Sequence, residues 1–385
     1  MEPSHPHDYD NFIIAVQNLS LPTPVKRTAK SNFSQSKSEP ISTRKVDKIV
    51  LNGYANKHFS REIFRELVHG IRELGKLGWL ELTHNALNDT LLQDIENLLT
   101  FKRLKRINLA FNDLGRASGV KIAELLRSND TSHLEWLSLV GNPFSSDSTV
   151  VLALTNSMRG MKLYHFGVTV SGPPTEQFCR SLSTVNLSSL SLAHSSLTDT
   201  AVQALVTTLV NKKRATTITA LDLSSCYLSP RSVLRIAEAI KLNRTLVKLN
   251  LSSNGLNNQT GRYIAEALAF NMTLHILDLK SNELGDNFCK DFALAMRKNV
   301  VLAHCDISCN SFSNIGALAL NTVIGSVNKT LTYLGDLTKN ASLSVKVREE
   351  LKSQTMLRDY ELLATVEEMN PPGVFEVLPW NLSDR

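Results

Sequence analysis

The stretch LVKLNLSSNGL, residues 246–256, decides the fold. Leucines stand at offsets 0, 3, 5 and 10, and Asn254 stands at offset 8. Offsets 3 and 5 are two residues apart, so both side chains leave one face of a short strand. Offsets 0 and 10 put leucines in the turns on either side. The amide falls where the chain leaves the strand and exposes its backbone groups. A stack of such amides, one per repeat, satisfies those groups from neighbour to neighbour. A buried group left unpaired would cost about 1–3 kcal/mol.

The pattern recurs along the chain. Downstream stand LHILDLKSNEL (274–284) and LAHCDISCNSF (302–312). Upstream are ITALDLSSCYL (218–228), LSSLSLAHSSL (187–197), LEWLSLVGNPF (134–144), LKRINLAFNDL (104–114) and LGWLELTHNAL (77–87). Weaker copies are LYHFGVTVSG (163–172) and VDKIVLNGYA (46–55), and a degenerate one starts at Leu331. The period is about 28 residues. In one copy Cys226 takes the amide slot.

Between these segments lie amphipathic stretches. GRYIAEALAFN (261–271) sets Ile264 with Leu268 and Ala265 with Ala269 at i, i+4 spacing, and RSVLRIAEAIKLN and GVKIAELLRSN behave alike. Each repeat therefore reads as a strand followed by a helix, with small alanines allowing close approach. Strands stack in parallel at about 4.8 Å, helices are wider, and the stack bends with its strands inside. The expected architecture is a curved α/β solenoid of ten or eleven repeats over residues 46–340, with strands on the concave face and helices on the convex face.

An LxxLxLxxNxL segment with a helical second half, at this period, resembles the ribonuclease-inhibitor-like class of leucine-rich repeats. Ribonuclease inhibitor, the sensor domains of nucleotide-binding innate receptors, the Ran GTPase-activating protein, tropomodulin and flagellar regulatory subunits share that class. The resemblance implies the fold; it implies little about function, because one fold hosts many sites.

The ends differ in composition. Residues 22–45 hold six Lys/Arg against one Glu and are rich in Ser and Pro, so 1–45 reads as a basic disordered tail. DNFIIAVQNL (10–19) reads as a short amphipathic helix that docks on a partner or caps the first repeat. VKVREELKSQTMLRDYELLATVEEM (345–369) looks helical, and NPPGVFEVLPW (370–380) follows. Residues 341–385 read as a helical C-terminal cap and tail over the open end of the stack.

Composition narrows the setting. The chain of 385 residues is 42% apolar and 20% charged, with a formal charge of +6. That charge is modest for the length and does not call for nucleic acid. The N-terminus has too short an apolar run for a signal peptide, and no apolar stretch is long enough to span a membrane. Five scattered cysteines do not make a disulfide framework. A cytoplasmic location is expected, with nuclear or cytoskeletal association as alternatives. The Asn-X-Ser/Thr sequons at Asn243, Asn258 and Asn271 then read as composition.

Motifs of catalysis fail on context. GIRELGK (70–76) matches GxxxxGK, but Leu77 follows where a phosphate loop needs Ser or Thr. A helix also precedes it and a strand follows, the reverse of a phosphate loop. HCDISC (304–309) crowds potential ligands, yet Cys305 occupies an apolar slot while His304 and Cys309 point elsewhere, so no metal site is expected. HExxH and GxSxG are absent. Acids at offset 4, Glu81, Asp222, Asp278 and Asp306, read as polar residues of a wet face rather than acid–base pairs. No enzyme activity and no cofactor is expected.

The expected function is a protein-binding scaffold or sensor that takes another protein on its concave face. Offset 2 aligns Trp79, Arg106 and Trp136, a composition typical of interface hot spots, with Glu81 and Asn108 beside it. These tryptophans either present themselves to a partner or fold flat over the first strands. Farther along, Asp222, Asp278 and Asp306 with Lys248 and Lys280 form a mixed charged stripe suited to a polar protein partner. Regulation of a small GTPase, a cytoskeletal or flagellar structural role and pathogen recognition are the alternative readings. For the first of these, no acidic run marks the C-terminal tail: residues 341–385 hold eight acids and five bases.

Overall fold

The computed structural model describes residues 48–51, 53, 61–73, 77–128, 130–158, 162–210, 217–324, 326–340 and 342–356. The tail 1–45, the segment 10–19 and residues 357–385 therefore lie outside the described residues, and so does most of NGYA after Leu51. The chain forms two compact units, Met1–Leu163 and Tyr164–Arg385.

In the first unit four parallel strands, β1 (Lys48–Val50), β2 (Trp79–Glu81), β3 (Arg106–Asn108) and β4 (Trp136–Leu139), pair in chain order. The helices are α1 (Arg61–Glu73), α2 (Leu92–Leu99), α3 (Arg116–Ser128) and α4 (Ser148–Ser157). The second unit pairs β5 (His165–Val168), β6 (Ser189–Ser191), β7 (Ala220–Asp222), β8 (Lys248–Asn250), β9 (Ile276–Asp278) and β10 (His304–Asp306), again parallel and in order. Its helices are α5 (Thr175–Ser181), α6 (Asp199–Leu209), α7 (Pro230–Leu242), α8 (Asn258–Leu268), α9 (Asp286–Met296), α10 (Asn314–Asn321) and α11 (Val345–Met356). Each unit is an α/β solenoid. Every strand begins at offset 2 of its repeat, and the degenerate copy at Leu331 contributes only a bridge between Tyr333 and His304.

The leucine code is the core. Leu246, Leu249, Leu251 and Leu256 are at most 3% exposed, and their equivalents in the neighbouring repeats are buried likewise. Helices pack on helices from α5 through α11 in the second unit. Small residues permit that approach: an added Cβ at Gly261 of α8 would stand 2.7 Å from both Leu284 Cδ2 and Phe288 Cδ2.

Amides at offset 8 form the expected ladder. Asn254 accepts the N–H of Cys226 at 2.9 Å and donates to the carbonyl of Leu223 at 2.8 Å, and Asn282 accepts the N–H of Asn254 at 2.9 Å. In the first unit Asn112 accepts the N–H of Asn85 and donates to the carbonyl of Leu82, while Asn142 accepts the N–H of Leu114 and donates to the carbonyl of Leu109. Cys226 fits the slot because its thiol reaches the carbonyl of Leu192 at 3.1 Å. The residue before the amide takes the left-handed conformation in repeat after repeat, as at Ser225, Ser253 and Ser281. That turn swings the amide under the strand.

Two further ladders were not read from the sequence. Asn243, Asn271, Asn299 and Asn328 lie three residues before offset 0 and are buried. Asn271 donates to the carbonyl of Ile240 at 2.7 Å and accepts the N–H of Leu274 at 2.7 Å, tying each helix end to the next strand. The sequons at Asn243 and Asn271 are thus rungs of the core. At offset 12, Asp89, Asn258 and Asp286 cap the helix of the following repeat: Asp89 accepts the N–H groups of Gly115, Ala117 and Ser118 at the start of α3. Burial pushes the Asp89 carboxyl up, but hydrogen bonds from Ser118, Ala117 and Gly115 hold it below the usual aspartate value.

Candidate functional site

Side chains at offsets 2 and 4 leave the strand on the side opposite the leucines, away from the helices. In the first unit, register aligns Lys48, Trp79, Arg106 and Trp136 on that strand face. The Trp79 indole is half-buried, with Lys48 Nζ 3.6 Å and Arg106 Cζ 5.7 Å from its ring centroid. Arg106 stands between the two tryptophans in register. The tryptophans do not behave alike. Trp136 is only 4% exposed, so the patch open to solvent is Lys48, Trp79 and Arg106, with Glu81 and Asn108 half-buried beside it. Burying the apolar bulk of an indole is favourable wherever the surroundings allow it.

The second unit differs from a wet face. Asp222 is 1% exposed and Lys248 is 2% exposed. Asp278, Lys280 and Asp306 are half-buried. Asp222, Asn250, Asp278 and Asp306 align across β7 to β10. Each turns back onto its own chain: Asp222 accepts the N–H of Ser224 at 3.0 Å, Asp278 that of Lys280 at 2.8 Å and Asp306 that of Ser308 at 2.8 Å. Asn108 and Asn250 make the same local bond to Ala110 and Ser252. An Asx turn of this kind terminates the strand and gives these residues a structural task. The signal was present in the sequence as Asp or Asn at offset 4 in successive repeats.

Burial controls the charges of this stripe. It pushes Asp278 up to about 7, with the neighbouring Asp306 carboxylate adding to the rise. Asp222 is raised by burial against hydrogen bonds from Ser224 and Ser191. Burial lowers Lys248 to about 7 and His165 to about 3. His165 Nδ1 lies 2.8 Å from Ser189 Oγ. Cys305 is buried, Cys309 is half-buried, and among the described residues no group of three or more His, Cys, Asp or Glu is placed to hold a metal ion. GIRELGK begins within the last turn of helix α1 and precedes strand β2, and residues 74–76 of it are outside the described set. No described helix is long and apolar enough to cross a membrane.

A second surface lies among the helices of the second unit. A groove of about 660 Å³ runs between Leu234, Tyr263, Phe270 and Leu294. Lys241 Nζ sits 4.6 Å from the Phe270 ring centroid. Sequence reading had assigned nothing there, although Phe270 and Met272 are exposed where the repeat pattern leaves the helix.

A leucine-rich-repeat family model matches residues 242–265 and 270–287. No curated protein matches the sequence. Solved structures similar to this chain include a tropomodulin C-terminal domain from Caenorhabditis elegans, 16% identical, covering 37% of this chain and 84% of that one at a TM-score of 0.31. The actin-binding site 2 of leiomodin-1 is 17% identical, with 37% and 82% covered and a TM-score of 0.29. A protein from Bacteroides fragilis is 14% identical, with 66% and 70% covered and a TM-score of 0.44. The matched family model spans the buried leucines and amides of two successive repeats, and the same buried positions recur from strand to strand, so the fold is that of an α/β leucine-rich-repeat solenoid.

Proposed function

We propose that the protein is a non-catalytic binding scaffold that takes a protein partner on the strand face of its first unit. The observation that carries this is the Trp79 indole, half-buried between the Lys48 ammonium and the Arg106 side chain. An aromatic ring held between two cations on an open sheet face offers large contact area with little side-chain entropy to lose on binding. Glu81 and Asn108 supply polar contacts at its side. A polar protein surface with an acidic residue to meet Arg106 fits this patch better than a phosphate backbone, which would want a continuous basic face.

The helical second half of each repeat and the period of about 28 residues support placement in the ribonuclease-inhibitor-like subclass. Five free cysteines, four of them buried, suit a reducing compartment such as the cytoplasm. Small-GTPase regulation and a cytoskeletal or flagellar role are separable by GTP-hydrolysis assay and by co-sedimentation with filaments.

The test is capture from native lysate by wild type and by a Trp79→Ala/Arg106→Ala variant whose circular dichroism matches wild type. Specific loss of a retained protein from the variant supports the reading. Identical retention by both removes the patch from consideration. Trp136 is left intact, because its burial would confound binding with stability.

A further inference from the structure

In the second unit the chain passes from helix to following strand through successive short segments, among them 241–245 after α7, 269–273 after α8, 297–301 after α9 and 326–330 after α10. Buried asparagines lock each of these four to the next. Asn271 donates to the carbonyl of Ile240 at 2.7 Å, Asn299 to that of Asn271 at 3.2 Å and Asn328 to that of Asn299 at 2.7 Å. Their side-chain oxygens take the N–H groups of Leu274, Leu302 and Leu331. The four segments therefore form one braced rim where the helices end, with these polar groups turned inward.

The outward side chains of the rim are of two kinds. Leu242, Phe270, Met272, Val300 and Val327 are 50% to 67% exposed. Among them stand Lys241, Arg244, Arg297, Lys298 and Lys329, all exposed, and the four segments contain no carboxylate. Lys241 Nζ and Lys298 Nζ lie 4.6 and 5.9 Å from the Phe270 ring centroid, so the repeats on both sides bring a cation to one exposed ring. The opposite rim, where the helices begin, mixes signs, with Asp199, Glu283 and Asp286 as well as Arg231. Cations at helix C-termini are favourable to the macrodipole, and Arg244 donates to the carbonyls of Lys241 and Asn243 in that manner. That accounts for the charges. It does not account for five large apolar side chains left in water between them.

We propose that this rim is a docking surface for an anionic membrane, its apolar side chains entering the headgroup layer while its cations meet the negative lipid groups. Charge complementarity selects the occupant: apolar protrusions set among Lys and Arg, with no acid, match a surface that is negative outside and apolar beneath. The row of four segments spans about 30 Å at a helix spacing of ~10 Å, a contact several lipids wide. An acidic peptide shares the charge but fits less well. The N–H groups after the asparagines are already bound, and the groove that opens at Phe270 is lined farther along by Glu238, Glu266 and Asp291, which repel such a peptide. This surface does not depend on protein capture by the first unit.

The test is co-sedimentation of the full chain with vesicles of equimolar phosphatidylserine and phosphatidylcholine, and with vesicles of phosphatidylcholine alone. Binding to the first and not to the second is expected. Phe270→Ser/Met272→Ser is expected to weaken it about tenfold or more through lost apolar burial. Arg297→Gln/Lys298→Gln is expected to weaken it by a similar factor through lost attraction to the charged surface, about tenfold. Circular dichroism and the thermal midpoint of each variant are compared with wild type. Where a double variant does not fold, Met272→Trp decides: brominated phosphatidylserine quenches its added indole beyond the quenching seen in wild type, and unchanged quenching overturns the proposal. Absence of wild-type binding to the anionic vesicles overturns it, as does binding that both folded double variants retain in full. Sensitivity to Arg297→Gln/Lys298→Gln without sensitivity to Phe270→Ser/Met272→Ser overturns it too, because no insertion then occurs. Binding of soluble poly-glutamate through Phe270, without vesicle binding, replaces the membrane with an acidic peptide.

Discussion

Asn282 reaches back one repeat to hold Asn254: its Oδ1 accepts the Asn254 N–H at 2.9 Å and the Leu256 N–H at 3.0 Å, while its Nδ2 donates to the carbonyl of Leu279 at 2.9 Å. One carboxamide thus satisfies groups of two successive turns, which an isolated repeat lacks the means to do. Asn282→Ala leaves buried donors and acceptors without this partner. A loss of about 1–3 kcal/mol is expected from urea unfolding, with little change in secondary structure. Asn282→Asp keeps the acceptor and loses the donor, so it also destabilises.

The offset-12 caps give an independent prediction. Asp89 holds three N–H groups at the start of α3, at 2.9, 3.0 and 3.1 Å. Asp89→Ala is expected to cost about 0.5–2 kcal/mol, the usual range for a lost N-cap. Amide hydrogen exchange then rises first in the opening turn of α3.

Gly261 tests helix packing against helix propensity. Alanine is intrinsically better than glycine in a helix by about 1 kcal/mol. Here the added Cβ meets Leu284 and Phe288 at 2.7 Å. Overpacking of this kind costs about 1–3 kcal/mol, so Gly261→Ala is expected to lower the thermal midpoint. A raised midpoint would show that α8 and its neighbour shift apart freely.

The buried charges of the second unit predict an unusual pH profile. Asp278 holds its proton to about 7 in the folded protein against 3.8 when unperturbed, so stability falls as pH rises through that window. Asp222, also raised, acts in the same direction. Lys248 titrates at about 7 when folded against 10.5 when unperturbed, so the unfolded chain binds more protons between those values and stability recovers as pH rises through them. Lys280, Asp306 and His304 line the same part of the face. Urea midpoints measured across these windows should pass through a minimum near 7. Asp278→Asn should flatten the acid-side fall, and Lys248→Met the alkaline-side recovery.

Thiol chemistry checks the core. Burial pushes Cys179 and Cys226 up to about 12, and Cys289 and Cys305 are buried and raised too. Only Cys309 is half-buried. A disulfide-exchange reagent should label Cys309 first in the native protein and all five cysteines in denaturant. Fast labelling at Cys305 would contradict its place on the buried, core-facing side of β10.

Much of the fold was legible because one code is written many times. LVKLNLSSNGL and its copies placed a short strand around offset 3 of each repeat, and the helix predicted in GRYIAEALAFN (261–271) is observed as Asn258–Leu268. Asn254 and Cys226 do what the offset-8 slot requires. The ladders through Asn243 and Asp89 escaped because their partners lie one repeat away, and a local scan sees only an amide or an acid near a turn. The candidate surface was legible in register and not in exposure. Trp79, Arg106 and Trp136 align as expected, but nothing local to LEWLSL says that Trp136 is covered while Trp79 is half-open.

Sequence alone determined the repeat, its strand-then-helix order and the direction in which every side chain leaves the strand. These follow from periods of two and about 3.6 residues and from the need to pair backbone groups. Tertiary structure alone decided which outward side chains meet water. Lys248 and Lys48 occupy the same offset of their repeats, yet one is buried and titrates near 7 while the other is exposed against an indole. Exposure depends on what lies above the sheet, and desolvation by distant chain is a long-range quantity that no local spacing encodes.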